Sequence, residues 1–150
     1  MDILKSKIRD IKYGDNFKIV EPVNLYECTF GNNVFIGPFV EITKGVKVGD
    51  ETRVSSHTFI CELVTIGKNC FIGHGVMFTN DLFKNGKLGG DVTNWKKTKV
   101  GNNVLIGSNS TILPVNICDD VVIGAGSVVT KNIDKKGIYA GNPAKFLRDF

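Results

Sequence analysis

Between Ile19 and Phe78 an apolar residue returns every six positions, as Ile19, Leu25, Phe30, Ile36, Ile42, Val48, Val54, Ile60, Ile66, Ile72 and Phe78, with one five-residue step from Leu25 to Phe30. The beat resumes at Val100 and continues through Ile106, Ile112, Ile117, Ile123 and Val129, with a second five-residue step from Ile112 to Ile117. Four residues after the beat stands a second locked position, small or β-branched: Val23, Val34, Val40, Val46, Thr52, Thr58, Val64, Cys70, Val76, Val104, Ser110, Val121 and Ser127. A period of six is a whole number of strand alternations, so each beat residue points to the same side of an extended segment, and it does not fit the 3.6-residue turn of a helix. Glycine follows the beat at Gly31, Gly37, Gly49, Gly67, Gly73, Gly101, Gly107 and Gly124, often before Asn or Asp, residues that tolerate left-handed backbone angles. Each hexad therefore reads as a short strand closed by a turn. Such repeats bury nothing alone and must stack, about three hexads to a coil, with strands of neighbouring coils roughly 4.8 Å apart.

The runs IGPFVEI, VSSHTFI, IGHGVMFTND, VGNNVLIGSNSTIL, IGAGSVVTKNI and YAGNPAK resemble the hexapeptide-repeat acyltransferases. The resemblance covers the chain from Ile19 onward and implies an all-β fold, a left-handed parallel β-helix; the hand comes from the family, since ordinary parallel crossovers are right-handed. Within that superfamily NLYEC, SSHTFIC and GHGVMFTND are similar to N-acetyltransferases acting on the 3-amino group of nucleotide-linked sugars.

Length and composition agree with one domain. The chain has 150 residues, 42% hydrophobic and 23% charged, ordinary for a soluble globular protein. No apolar run near the N-terminus suits a signal peptide and none is long enough for a membrane span, which predicts a cytoplasmic protein with no membrane partner. The net charge of +4 is dispersed, with no aromatic platform for nucleic acid, and suits small polyanions such as coenzyme A or a nucleotide diphosphate sugar. Cys28, Cys61, Cys70 and Cys118 lack C-x-x-C spacing and read as free packing thiols.

Residues 1–18 are expected to cap the solenoid, with Tyr13, Gly14 and Phe17 imitating one degenerate hexad. Residues 82–99 are expected to form an extended loop carrying Phe83 and Trp95; a hexad at 94–99 with Thr98 in the small position leaves open whether the loop replaces a rung or is inserted at a corner. Residues 137–150 are expected to cap the other end, with Pro143 opening a short helix.

The resemblance implies the site. It assigns acetyl-CoA as co-substrate and a nucleotide-linked amino sugar as acceptor. Coenzyme A would lie along Gly107, Ser108, Ala125, Gly126 and Lys131, with Asn142, Lys145 and Arg148 near its adenine and 3'-phosphate. Asn80 would position the sugar amine, with Asp81 and Trp95 holding the acceptor. The two histidines, His57 and His74, stand seventeen residues apart, about one coil, so both reach one edge of the solenoid; their one-residue offset leaves open which faces the groove. His74 is taken as the catalytic candidate and His57 as substrate-binding. An amine beside electron-withdrawing ring substituents is largely unprotonated near neutrality, so direct attack on the thioester, with backbone N–H groups stabilising the oxyanion, needs no acyl-enzyme.

The expected reaction is acetylation of a dTDP-linked 3-amino-3,6-dideoxyhexose for surface polysaccharide or lipopolysaccharide biosynthesis, because no arginine follows Asn80-Asp81 to meet a sugar carboxylate. A UDP-3-amino-uronate acceptor, another hexapeptide O- or N-acetyltransferase, and a non-catalytic carbohydrate-binding trimer stand as alternatives. The γ-type carbonic anhydrases share the solenoid but place zinc on three histidines; two histidines leave the metal expectation at none. Family members assemble as homotrimers, and the same is expected here.

Overall fold

In a computed structural model the chain winds as a three-sided prism, described at residue 1, residues 7–83, residue 86 and residues 92–150. It is a left-handed parallel β-helix. Face A stacks Ile8–Arg9, Asn24–Tyr26, Glu41–Ile42, Phe59–Ile60, Met77–Phe78, Thr111–Ile112 and Val128–Val129. Face B stacks Thr29–Phe30, Lys47–Val48, Val64–Ile66, Thr98–Val100 and Asn116–Ile117. Face C stacks Lys18–Ile19, Phe35–Ile36, Arg53–Val54, Phe71–Ile72, Leu105–Ile106, Val121–Ile123 and Gly137–Ala140. The helical segment among the described residues is one 3-10 turn at Val92–Asn94.

Register follows the beat. Ile19 pairs with Ile36, Ile36 with Val54, Val54 with Ile72, and Ile72 with Ile106, so each inward side chain rests on its counterpart one coil away. Leu25, Ile36, Ile42, Ile60, Ile72, Ile106 and Ile112 are completely buried in the resulting core. Hydroxyls at the small inward position are satisfied by backbone: Thr58 Oγ1 donates to the Gly73 carbonyl at 3.0 Å and Ser127 Oγ to the Gly124 carbonyl at 2.6 Å. Side chains bond between coils as well. At the corner between faces B and C, Asn16, Asn33, Asn69, Asn103 and Asp120 all hold positive φ, and Asn103 Nδ2 donates to Asp120 Oδ1 at 2.9 Å.

The described part of the expected N-terminal cap is already a winding of the solenoid. Ile8 pairs with Leu25, Lys12 bridges to Thr29, and Lys18–Ile19 joins face C. Phe17 stacks between Tyr13 and Phe30, with ring centroids 5.3 and 4.6 Å away. Residues 2–6 of that cap, and 84, 85 and 87–91 of the expected loop, lie outside the described residues.

The long excursion is inserted at a corner, and no rung is lost. Met77–Phe78 lies on face A, and the next strand, Thr98–Val100, takes its place on face B between Val64–Ile66 and Asn116–Ile117. Thr98 is buried in the small position. Both five-residue steps, Leu25 to Phe30 and Ile112 to Ile117, fall at this same A-to-B corner.

The expected C-terminal helix is absent. Lys145–Arg148 instead turns back antiparallel on Gly137–Ala140, through a turn in which Gly141 holds φ 104°. An exposed edge strand explains the difference: without a partner, Gly137–Ala140 would leave its backbone groups open at the end of face C. The Phe146 ring meets Tyr139 edge-on at 5.5 Å and helps close that edge.

Replacing Ile72 by alanine should lower stability by about 2–5 kcal/mol in denaturant unfolding. Replacing exposed Thr65 on face B should change it by less than about 0.5 kcal/mol.

Candidate active site

Two corners of the prism carry the chemistry-bearing residues, at opposite ends of face A. The corner between faces C and A gathers the histidines and the small-residue column. Pro38, Ser56, His74, Ser108 and Ala125 stand one above another there, and beside them run Phe39, His57, Gly75, Asn109 and Gly126. Close packing of coils explains the glycines: a Cβ on Gly73 would stand 2.7 Å from the Ile106 carbonyl oxygen, and one on Gly107 would stand 2.4 Å from the Ala125 nitrogen. Gly107, Ser108, Ala125 and Gly126 thus form a continuous low surface below His74. Asn142 lies in the turn beyond it and Lys145 and Arg148 on the closing strand, whereas Lys131 follows Val128–Val129 toward the A-to-B corner, away from this column.

The one-residue offset sends the two histidines to different partners. His57 stacks on exposed Phe39 with centroids 4.9 Å apart, whereas His74 Nδ1 and Ser56 Oγ form a hydrogen bond of 2.8 Å. That bond holds one nitrogen of an exposed ring and leaves Nε2 without a hydrogen-bond partner among the described residues, the arrangement of a base fixed by a neighbouring hydroxyl. Phe39 and His57 hold φ of 59° and 63°. Left-handed angles recur at the other corners too, at Glu27, Glu51 and Leu63, so they belong to the turns of the solenoid.

Asn80, Asp81 and Trp95 meet at the other end of face A, where the described ends of the long loop border the outer surface of the sheet. They line a cavity of about 470 Å³ with Tyr26, Thr43, Phe59, Cys61, Glu62, Met77, Thr79 and Phe83. Its floor is a column one coil apart: Tyr26, Thr43, Cys61 and Thr79 each follow a stacked inward residue, Leu25, Ile42, Ile60 and Phe78. The loop closes at its neck, where the Lys96 N–H donates to the Asn80 carbonyl at 2.8 Å. Asn80 Nδ2 donates to the Glu62 carbonyl at 3.3 Å, and its Oδ1 has no hydrogen-bond partner among the described residues. Asp81 Oδ1 accepts the Phe83 N–H at 2.8 Å, so this carboxylate also starts a turn. Trp95 Nε1 is buried and finds no acceptor among the described residues. Sequence reading missed Tyr26, Cys61, Glu62 and Ser56; a column taken at the coil period, rather than the hexad period, gathers the first two.

Charge in the cavity is negative. Burial raises the Tyr26 hydroxyl above its ordinary range, and the Glu41 and Glu62 carboxylates raise it further, against the Arg9 guanidinium that lies 4.2 Å from its ring centre. Burial also pushes the Cys61 thiol up to about 11, as it does Cys28. A thiol held that high is a poor nucleophile near neutrality. Among the described residues no three His, Cys, Asp or Glu side chains gather as a metal ion would require, and no helix is long and apolar enough to cross a membrane.

Known proteins resemble the chain in both sequence and fold. A profile for the hexapeptide repeat of succinyl-transferase matches residues 63–77 and 97–131, and one for the bacterial transferase hexapeptide matches residues 27–62. The bifunctional protein GlmU of Streptococcus uberis is 36% identical over 118 residues, 78% of this chain and 23% of that protein. The chain thus spans about a quarter of the length of the curated relatives it matches. A mutant of AntD, an N-acyltransferase from Bacillus cereus crystallised with dTDP and coenzyme A, superposes with a TM-score of 0.78 at 24% identity, over 92% of this chain and 83% of that one. A mutant of perosamine N-acetyltransferase from Caulobacter crescentus, crystallised with CoA and GDP-perosamine, gives 0.69 at 21% identity, over 96% and 58%. At these identities the two structures establish a shared fold.

Alkylation by iodoacetamide should reach half-buried Cys118 first, because Cys28, Cys61 and Cys70 are at most 5% exposed. At Cys61 the rate should go on rising toward pH 11 instead of levelling near 9, as mass spectrometry would show. Raised thiol values favour the protonated folded form, so stability should fall as pH climbs above the ordinary thiol range toward 11.

Proposed function

The chain belongs to the hexapeptide-repeat transferases, and we propose that it moves acetyl from acetyl-CoA to the amine of a nucleotide-linked amino sugar. One observation carries this reading: Asn80 and Asp81 line an aromatic cavity at one end of face A, while the other end offers a histidine beside a corner stripped to Gly, Ser and Ala. The second feature suits an extended cofactor arm approaching backbone, and the first suits a sugar. The two fold neighbours, one crystallised with dTDP and one with a GDP-linked sugar, support the same class. The favoured acceptor is a dTDP-linked 3-amino-3,6-dideoxyhexose, made for surface polysaccharide.

In this reading the free amine attacks the thioester carbonyl. The C–N bond forms, the oxyanion is met by backbone N–H groups of the corner, and the C–S bond breaks. The departing thiolate takes the proton the nitrogen loses, with His74 Nε2 placed to relay it and Ser56 fixing the ring. No cysteine enters, since the buried thiols are protonated.

His74 and Asn80 sit on the same coil, six residues apart and at most roughly 20 Å apart at strand rise. We propose a threefold ring in which the histidine corner of one copy approaches the loop cavity of the next. Face C supports such contact at its later coils, because its outward residues Phe71, Leu105, Val122 and Ile138 form an apolar stripe beyond Arg53, whose guanidinium covers the Phe35 ring, whereas face B presents Thr29, Lys47, Thr65, Lys99 and Asn116. Replacing Leu105 by glutamate should then shift the eluted mass from three chains toward one.

A thiol-release assay with acetyl-CoA over a panel of nucleotide-linked amino sugars tests the activity. Release should require an amino sugar and fall about 10²-fold in His74→Ala. Asn80→Ala should lose activity comparably, with Ser56→Ala affected less. No release with any amino sugar would leave a non-catalytic carbohydrate-binding solenoid as the surviving reading.

A further inference from the structure

The loop cavity contains two polar groups without partners among the described residues. Trp95 Nε1–H is buried and lacks an acceptor among the described residues. A buried donor left so is unfavourable, and buried indoles normally find a partner. Glu62 is half-buried at the rim, fixed through its own carbonyl by Asn80 Nδ2, and no described residue donates a hydrogen bond or ion pair to its carboxylate. Asp81, by contrast, is committed to the Phe83 N–H.

A ligand for this cavity must bring one hydrogen-bond acceptor for Trp95 and one donor for Glu62. It must present apolar surface to Phe59, Met77 and Phe83. It must also tolerate negative potential: the charged groups lining the cavity among the described residues are Glu62 and Asp81, Glu41 acts on Tyr26 from alongside, and the nearby cation, Arg9, is held against the Tyr26 ring. An amino sugar with a methyl group at C6 meets all three demands. A sugar acid brings a third carboxylate next to the two already there, and like charges in a partly desolvated site repel strongly.

We infer that Glu62 is the residue on which the acceptor's amine docks, that Trp95 Nε1 donates to an oxygen of the same sugar, and that the pair selects an uncharged deoxy amino sugar over an amino uronate. The inference rests on the proposed acetyl transfer for its turnover readout, and Trp95 supplies a second readout independent of turnover. It is the chain's single tryptophan, so intrinsic emission reports this cavity alone.

The experiment compares the native protein with Glu62→Gln, which keeps the size and shape of the side chain, and with Glu62→Asp. Each is titrated with a dTDP-linked 3-amino-3,6-dideoxyhexose and with a UDP-linked 3-amino uronate, following thiol release and Trp95 emission. In the native protein the deoxy sugar alone should change the emission. Glu62→Gln should raise KM for the deoxy sugar about tenfold, the loss expected for a charge-assisted hydrogen bond, with a smaller change in kcat. It should also narrow discrimination against the uronate by a similar factor, and Glu62→Asp should recover part of both. Unchanged KM, discrimination and emission in Glu62→Gln, in a native protein that releases thiol, would overturn the role of Glu62 and leave the acetyl transfer standing. A native protein that releases no thiol, but whose emission shifts with the deoxy sugar only while Glu62 is present, would support the docking site and remove the enzyme.

Discussion

Each coil of this protein is held by the coil beside it. A hexad offers two or three strand residues, too few to be stable alone, and its backbone groups find partners one coil away: Phe35 N to Thr52 O, Arg53 N to Cys70 O, Phe71 N to Val104 O. Those bonds form only if every coil has nearly the same length, and the inward side chains rest on one another under the same condition. Parallel register between coils is therefore the constraint on which the rest depends. It explains why Gly73, pressed against the Ile106 carbonyl and the Ser108 nitrogen of the next coil, has no room for a side chain, and why insertions have only the corners to occupy.

The three corners answer that constraint differently. Between faces B and C the chain repeats one solution, a left-handed Asn or Asp in most coils with side chains bonded along the column. That corner is structural in every coil. Between faces A and B lie both shortened steps and the long insertion, so length varies there while strands on either side keep register. Between faces C and A the length is constant but the residue type is not: Phe39, His57, Gly75, Asn109 and Gly126 occupy equivalent positions. Variation in length at one corner and in chemistry at another marks where the solenoid departs from its own rule, and both lie on face A.

Inward positions were legible in the sequence because burial selects one residue class at a fixed interval. The beat indicated the strands, a candidate hexad at 94–99 had Thr98 in the small position without deciding whether the loop replaced a rung, and the spacing of His57 and His74 placed both on one edge. Tyr26, Cys61 and Glu62 were not legible, because outward residues on face A obey no class rule and meet only through stacking at 17 or 18 residues. Ser56 was hidden for the same reason: its bond to His74 spans one coil. At the C-terminus, AGNPAK suggested a helix by its local composition, but the open edge of Gly137–Ala140 is a demand made by tertiary structure, and an antiparallel strand meets it.

A prism stacked on inter-coil hydrogen bonds has no hinge. His74 and Asn80 share a coil, and the strand between them, Met77–Phe78, is paired on both sides, with Phe59–Ile60 and Thr111–Ile112. The strand Met77–Phe78 separates the two side chains, and bending the face would break ladders through the stack. The proposed ring meets this separation by taking the two residues from different copies of the chain, whereas a reaction confined to the loop cavity leaves His74 to the cofactor alone. The rigid stack that makes the sequence so regular thus also decides how a site on its surface can be completed.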